Sequence, residues 1–398
     1  RSHPSEAVRA QVLRVMRARG LRGQGDVAAE RLTDTDPDVQ LEAARYLYCN
    51  ASDDRHQRLQ EALSYDDLRI QAAAVGLIAE EGGADEYRLV TENHLRRLME
   101  AKGDVGEDAR THVARLLGVI DRAYTEELLQ DLLRDDSLQV QRAAILAAGR
   151  TKNRTFVHLL LQRLKTEGLM KEVQEALVGY GRRILGTLYD HLVDRSLPLD
   201  IRRRIPNILA QQHCQMAVTI LVRSLDEVPI PVRHACVRAL SKLHARGDYR
   251  YHERIVESAI RAEAEHFAVL GQILHLRLRT DGSLTSEVSA ASLRSLREES
   301  LERIFRLLGL RYDQRDIYDA YLGITSGDAS LRASAVEFVD NLVQYGTSKY
   351  LLPLLDDETG RQAVNEGRTL FDRSIRSWDH ARAYFAKADG GRVLEFAQ

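Results

Sequence analysis

The sequence predicts an all-α chain, a right-handed superhelix of stacked helical hairpins. Three observations carry that expectation. A short pattern, an acidic turn followed by apolar residues at helical spacing, recurs with a mean interval of about 32 residues. Composition suits helices with a long solvated surface: 29% of the 398 residues are charged, and there are only 7 Pro and 1 Trp. The apolar positions of the pattern fall at i, i+3, i+4, i+7 and i+8, one helical face, and are often small enough for a neighbouring helix to come close.

The unit is clearest at residues 135–149. Asp135, Asp136 and Ser137 read as a helix start, and Val140, Ala143, Ala144, Ala147 and Ala148 form the face. Copies anchored on Val39, Ile70, Ala109, Val140, Val173, Ile201 and Val232 are spaced by 31, 39, 31, 33, 28 and 31 residues. Between anchors lie second helical stretches at 124–134, 156–164, 185–194 and 216–225. Two such helices and two short turns fill the period, giving about ten hairpins.

Three regions follow. Residues 1–250 hold the regular repeats. Residues 251–325 hold divergent, longer helical hairpins, with helices at 251–279 and 287–310 separated by the turn signal Thr280-Asp281-Gly282-Ser283. Residues 326–398 hold a final repeat, anchored on Leu331, and a C-terminal cap containing Trp378.

The acidic turn followed by Val-Arg/Gln-x-x-Ala resembles HEAT-like repeats of the short bacterial kind, an armadillo-type solenoid. The Trp-Leu-Gly-Tyr pattern of tetratricopeptide repeats and the Thr-Pro-Leu-His of ankyrin repeats are missing. Residues 301–342 carry a more specific likeness: Leu301-Glu302-Arg303-Ile304-Phe305, Asp316-Ile317-Tyr318, Tyr321, Gly323, Ser326-Gly327-Asp328, Leu331-Arg332-Ala333 and Glu337-Phe338-Val339-Asp340. This stretch resembles the HEAT segment of bacterial ATP/ADP-translocase-type proteins of the major-facilitator kind. There the segment follows the transporter domain and often precedes a cyclic-nucleotide-binding-like domain. The resemblance implies a cytoplasmic regulatory segment or a stand-alone relative, without transport activity of its own.

Charge is balanced, with 57 basic and 59 acidic residues, so no global field favours nucleic acid. Cys49, Cys214 and Cys236 form no Cys-x-x-Cys pair and read as core residues of a cytoplasmic protein. No apolar run is long enough to span a bilayer, and the first residues show no signal peptide. Arg1 is not an initiator Met, and the chain is expected to be a piece of something longer.

If the anchor face is core, the positions two and six residues beyond each anchor face a groove. This selects Arg115, Arg142, Arg203, Asn207, His234 and Arg238 as binding candidates. Arginines there suit carboxylates or phosphates on a partner; ordinary solvated surface is the other reading. The position after each anchor is Gln40, Gln71, Arg110, Gln141, Gln174, Arg202, Arg233 and Arg332. In related solenoids its arginine pairs with a turn aspartate of the neighbouring repeat, so we assign it to structure.

Residues 182–279 carry 16 basic and 10 acidic residues, densest at Arg182-Arg183 and Arg202-Arg203-Arg204. An anionic membrane surface would suit this excess; single-stranded nucleic acid is disfavoured because stacking aromatics are sparse. His252-Glu253 is the one pair of the sort used by the HEAT-like di-iron enzyme deoxyhypusine hydroxylase, and a single pair cannot complete that ligand set. His213-Cys214 with His234 and Cys236 would be a zinc set only if Cys236 left the core. We therefore expect no metal, no cofactor and no catalytic residues. The reading is a scaffold for a protein partner or an adjoining transporter domain. The alternative is a HEAT-like accessory or enzyme holding an anionic ligand, phosphate or nucleic acid, in the basic mid-section.

Overall fold

A computed structural model describes residues 5–50, 55–279, 289–355, 364 and 369–388. The described residues are helical throughout, without strands, as the hydrophobic period requires. The chain divides into two compact units, residues 1–181 and 182–398.

The first unit begins with α1 (Glu6–Ala18), α2 (Gly25–Arg31), α3 (Pro37–Asn50), α4 (Arg55–Ser64) and α5 (Leu68–Glu81). It continues with α6 (Ala84–Leu89), α7 (Glu92–Met99), α8 (Gly103–Leu117) and α9 (Thr125–Leu132). It ends with α10 (Leu138–Thr151), α11 (Thr155–Arg163) and α12 (Met170–Gly179). Helices bearing the repeat anchors pack in succession, α3 on α5, α5 on α8, α8 on α10 and α10 on α12, and α1 packs on α3 before them. Small residues permit that approach. Gly149 of α10 faces Ala176 of α12 so closely that an added Cβ would lie 2.8 Å from the Ala176 Cβ.

Polar turn residues start these helices by accepting orphan amides. Asp36 Oδ1 takes the Asp38 and Val39 amides, each at 3.0 Å. Asp67 Oδ1 takes the Arg69 amide at 2.8 Å, and Ser137 Oγ takes the Gln139 and Val140 amides. At several copies the side chain after the anchor closes the preceding helix end. Gln40, Gln71 and Gln141 each donate through Nε2 to the carbonyl six residues back, at 2.5, 2.5 and 2.6 Å. Arg110 does both jobs, donating to the Ala101 carbonyl at 2.7 Å and to Asp135 of the next turn at 2.6 Å. The ladder read from the sequence is thus present at Arg110, while the glutamines tie only to backbone.

The second unit opens with α13 (Leu185–Val193), α14 (Leu199–Arg202), α15 (Ile205–Ala210), α16 (Gln215–Ser224) and α17 (Ile230–His244). The long α18 (Glu253–Arg279) and α19 (Ala290–Leu308) come next. It closes with α20 (Gln314–Thr325), α21 (Ala329–Leu342), α22 (Tyr345–Leu355) and α23 (Trp378–Ala388). The copy anchored on Ile201 is split into α14 and α15. Pro206 has no amide to donate, and its ring crowds the carbonyl four residues back, at Arg202. Long helices read at 251–279 and 287–310 correspond to α18 and α19; the turn signal at 280–283 lies outside the described residues.

All seven regular anchors are buried. Leu331, expected to be the core anchor of the last copy, is instead 55% exposed, and Phe338 on the same side is 41% exposed. Helix α21 packs on α20 and α22 through Ala335 and Val339, and its Leu331 side meets no covering helix among the described residues. Ala143 of the opening unit is only half-buried, whereas Ile145, outside the expected face, is buried. No helix among the described residues is long and apolar enough to cross a membrane.

Candidate anion-binding site

Helices α17, α18 and α19 enclose a polar interior in the second unit. Glu263 of α18 is fully buried, and two guanidinium groups reach its carboxylate. Arg303 of α19 donates through Nε to Oε2 at 2.8 Å, and Arg233 of α17 through Nη1 to Oε1 at 3.1 Å. Ser300 Oγ donates to the Glu263 backbone carbonyl at 3.3 Å. Burial alone would raise the Glu263 carboxyl; Arg303 and Arg233 outweigh it and hold the group down at about 2. The acid is therefore an anion locked between two cations.

One turn along α18, His266 accepts the same environment differently. Its Nδ1 lies 2.6 Å from the Tyr384 hydroxyl of α23. Burial pushes the imidazole down to about 3, with Arg303 and Arg233 adding to the fall against the support of Glu263. The ring is neutral. Burial also pushes the Tyr384 hydroxyl up, so it keeps its proton. Only donation from Tyr384 to Nδ1 leaves no hydroxyl hydrogen without an acceptor, which assigns the ring proton to Nε2.

This network floors a cavity of about 730 Å³. Arg303 and His266 form the base, and His234 of α17 stands beside them, its Nδ1 3.4 Å from Arg303 Nη1. Burial, then the Arg303 charge, lowers the His234 imidazole below the usual histidine range. Arg203 and Arg204, at the break between α14 and α15, and Arg238, two turns into α17, complete a cationic rim. Pro206 is what puts the two rim arginines at that break instead of inside a helix. Arg203 is partly neutralised by Asp200, with Nε 3.3 Å from Oδ1. Arg238 has neither a hydrogen bond nor an ion pair among the described residues.

Of the residues proposed from sequence, the structure brings Arg203, His234 and Arg238 to one cavity. Asn207 accepts a hydrogen bond from Lys242 Nζ at 3.1 Å. Arg115 and Arg142 belong to the first unit, where each is held internally. Arg115 pairs with Glu80 at 3.1 Å; Arg142 pairs with Glu172 at 2.8 Å and donates to the Gly168 carbonyl at 3.1 Å. Nor do the positions two and six beyond the anchor always face open space. Ala72 is buried, and the His112 ring covers Gly76, 2.5 Å from where a Cβ would stand.

Sequence reasoning missed Arg303, Glu263, His266 and Tyr384. The signal of Glu263 and Arg303 was faint: charged residues inside helices otherwise apolar on the same face, in the interval where the repeat pattern lapses; His266 and Tyr384 carried none. Cys236 and Cys214 are buried free thiols, and burial pushes Cys236 up to about 12, whereas Cys49, also expected in the core, is exposed. His213 faces Arg246, with Nε2 3.0 Å from Nη1. Among the described residues no three His, Cys, Asp or Glu side chains converge as a metal-binding set. No protein-family model matches the chain, and no curated protein matches it.

Proposed function

We propose that the chain is a non-enzymatic binding protein, a right-handed HEAT-like, armadillo-type solenoid whose second unit takes up an anionic group. The observation that carries this reading is the convergence of Arg203, Arg204 and Arg238 above the buried Arg303 and His266. Guanidinium groups grip carboxylate and phosphate oxygens through paired donors, and a low-dielectric floor strengthens each such bond. The successive packing of α1, α3, α5, α8, α10 and α12 supports the repeat-stack part of the proposal. The likeness of residues 301–342 to translocase-associated HEAT segments supports a cytoplasmic setting. There the chain would scaffold or regulate a nucleotide-translocase-like transporter, the anion being offered by that partner or by a ligand.

Calorimetric titration with inorganic phosphate and pyrophosphate tests the anion site. The wild-type chain is expected to bind, and Arg203→Glu with Arg238→Glu to weaken binding about tenfold or more, with the far-ultraviolet dichroism unchanged. Equal affinity in the double variant would remove the cavity from consideration. Silence from the wild type would overturn the reading altogether.

A further inference from the structure

The cavity is not cationic throughout. Arg203 and Arg204 enter from the α14–α15 break, and Arg238 from α17, whereas Glu299 and Glu302 line it from α19. Helix α17 packs against α15 on one side and α19 on the other. The cavity therefore runs from a cationic margin to an acidic one. Between them its wall is apolar, with Pro231, Leu270, Leu296 and Phe385.

Size and charge state narrow what fits. A space of about 730 Å³ lies in the range of sites for small organic molecules and is far more than a bare oxyanion fills. Glu263 is shared by Arg303 and Arg233, so the floor keeps part of its positive charge, but Arg303 is buried; the exposed positive charge that meets a ligand lies at the rim, above all at Arg238. At the opposite margin Glu299 is exposed, with neither a hydrogen bond nor an ion pair among the described residues. Glu302 holds Arg306 at 2.7 Å through Oε1. A polyanion laid along the cavity would run into both carboxylates; a molecule carrying both charges would be met at each end.

We infer that this cavity receives a small organic zwitterion. Its oxyanion is held by Arg203, Arg204 and Arg238, its ammonium by Glu299 and Glu302, and an apolar body between them rests on Pro231 and Leu296. The inference rests on the anion-binding reading above and adds the ligand class to it.

A graded series separates the two. The full chain is titrated calorimetrically with inorganic phosphate, hexyl phosphate and aminohexyl phosphate. The hexyl chain is expected to tighten binding about tenfold or more by covering the apolar wall, and the terminal ammonium to add about a further fivefold. In Glu299→Gln with Glu302→Gln the ammonium gain disappears, while hexyl phosphate binds as well as before or better. Glu299→Gln alone, which leaves the Glu302–Arg306 pair intact, is expected to lose part of that gain. An ammonium that adds nothing, or weakens binding, in the wild type overturns the zwitterion while the anion reading stands. Failure of all three compounds overturns both.

Discussion

Replacing Glu263 by Gln tests the charge network on which the cavity rests. The wild-type carboxyl falls from 4.5 to about 2 on folding, and each unit is worth about 1.4 kcal/mol, so its ionised form contributes on the order of 3 kcal/mol. Removing one partner of a buried pair, which strands Arg233 and Arg303 beside a neutral amide, costs about 3–5 kcal/mol by independent experience. The two figures agree. Because the folded value is depressed, the contribution is complete above about pH 4.5 and is lost as pH falls toward 2. Trp378, the single tryptophan, packs against the cluster of Val269, Leu270, Leu293 and Phe385, so its emission reports unfolding of this unit. Urea titrations followed by that emission should show Glu263→Gln about 3 kcal/mol less stable at neutral pH, the gap closing as pH drops below about 4.5. His266 sets a background common to both proteins down to about pH 3, below which the loss of Glu263 leaves its ring still harder to charge. Its folded value of about 3 lies below its ordinary 6.5, so both lose stability as pH falls from 6.5 toward 3. A gap under about 1 kcal/mol, or one that acid leaves unchanged, would refute the argument that Glu263 is a locked anion.

Two further substitutions test the first unit. In Gly149→Ala the new methyl meets the Ala176 Cβ at 2.8 Å and its Cα at 2.9 Å, backbone that cannot swing aside. The overpacking should cost about 1–3 kcal/mol, against a helix-propensity gain of about 1; a stabilised variant in urea unfolding would mean that α10 and α12 are not in such close contact. Arg110→Met removes the bonds to Asp135 and to the Ala101 carbonyl. It should destabilise by about 1–3 kcal/mol and speed hydrogen exchange at the start of α10, and unaltered exchange there would deny the ladder its role.

Much of the helix order was legible because the pattern is local. A capping residue, a four-residue spacing and a small side chain are enough to place α3, α5 and α10, and the stretches read at 156–164 and 216–225 became α11 and α16 within a residue or two. What failed depended on neighbours distant in sequence. Leu331 satisfies the local pattern as well as Val140 does, yet its burial requires a helix laid against it, which the pattern of its own segment cannot reveal. The site was half legible for the same reason. Arg203, His234 and Arg238 follow from register along their own helices. Glu263 and Glu265 are indistinguishable in sequence, both acids in a run of Ala, Glu and His, but only Glu263 turns toward Arg233 and Arg303, while Glu265 meets Arg373 at 2.7 Å.

The cavity arises where a structural device of the repeat is put to another use. In regular copies the side chain after the anchor closes a helix end, as Gln40, Gln71 and Gln141 do with carbonyls six residues back. At the copy anchored on Val232 that side chain is Arg233, and it reaches Glu263 of α18. Glu263 then offers its second oxygen to Arg303, and Arg303 in turn carries positive charge to His234 at the cavity floor. Apolar packing between α17, α18 and α19 could supply as much stability, since buried ion pairs rarely outdo methyl groups. Charge at this point fixes something that methyl groups cannot: one orientation of Arg303, set by a bond to a carboxylate whose other oxygen is held by Arg233. That orientation places the Arg303 guanidinium at the base of a cavity walled jointly by the last regular copies and by the interval where the repeat pattern is lost.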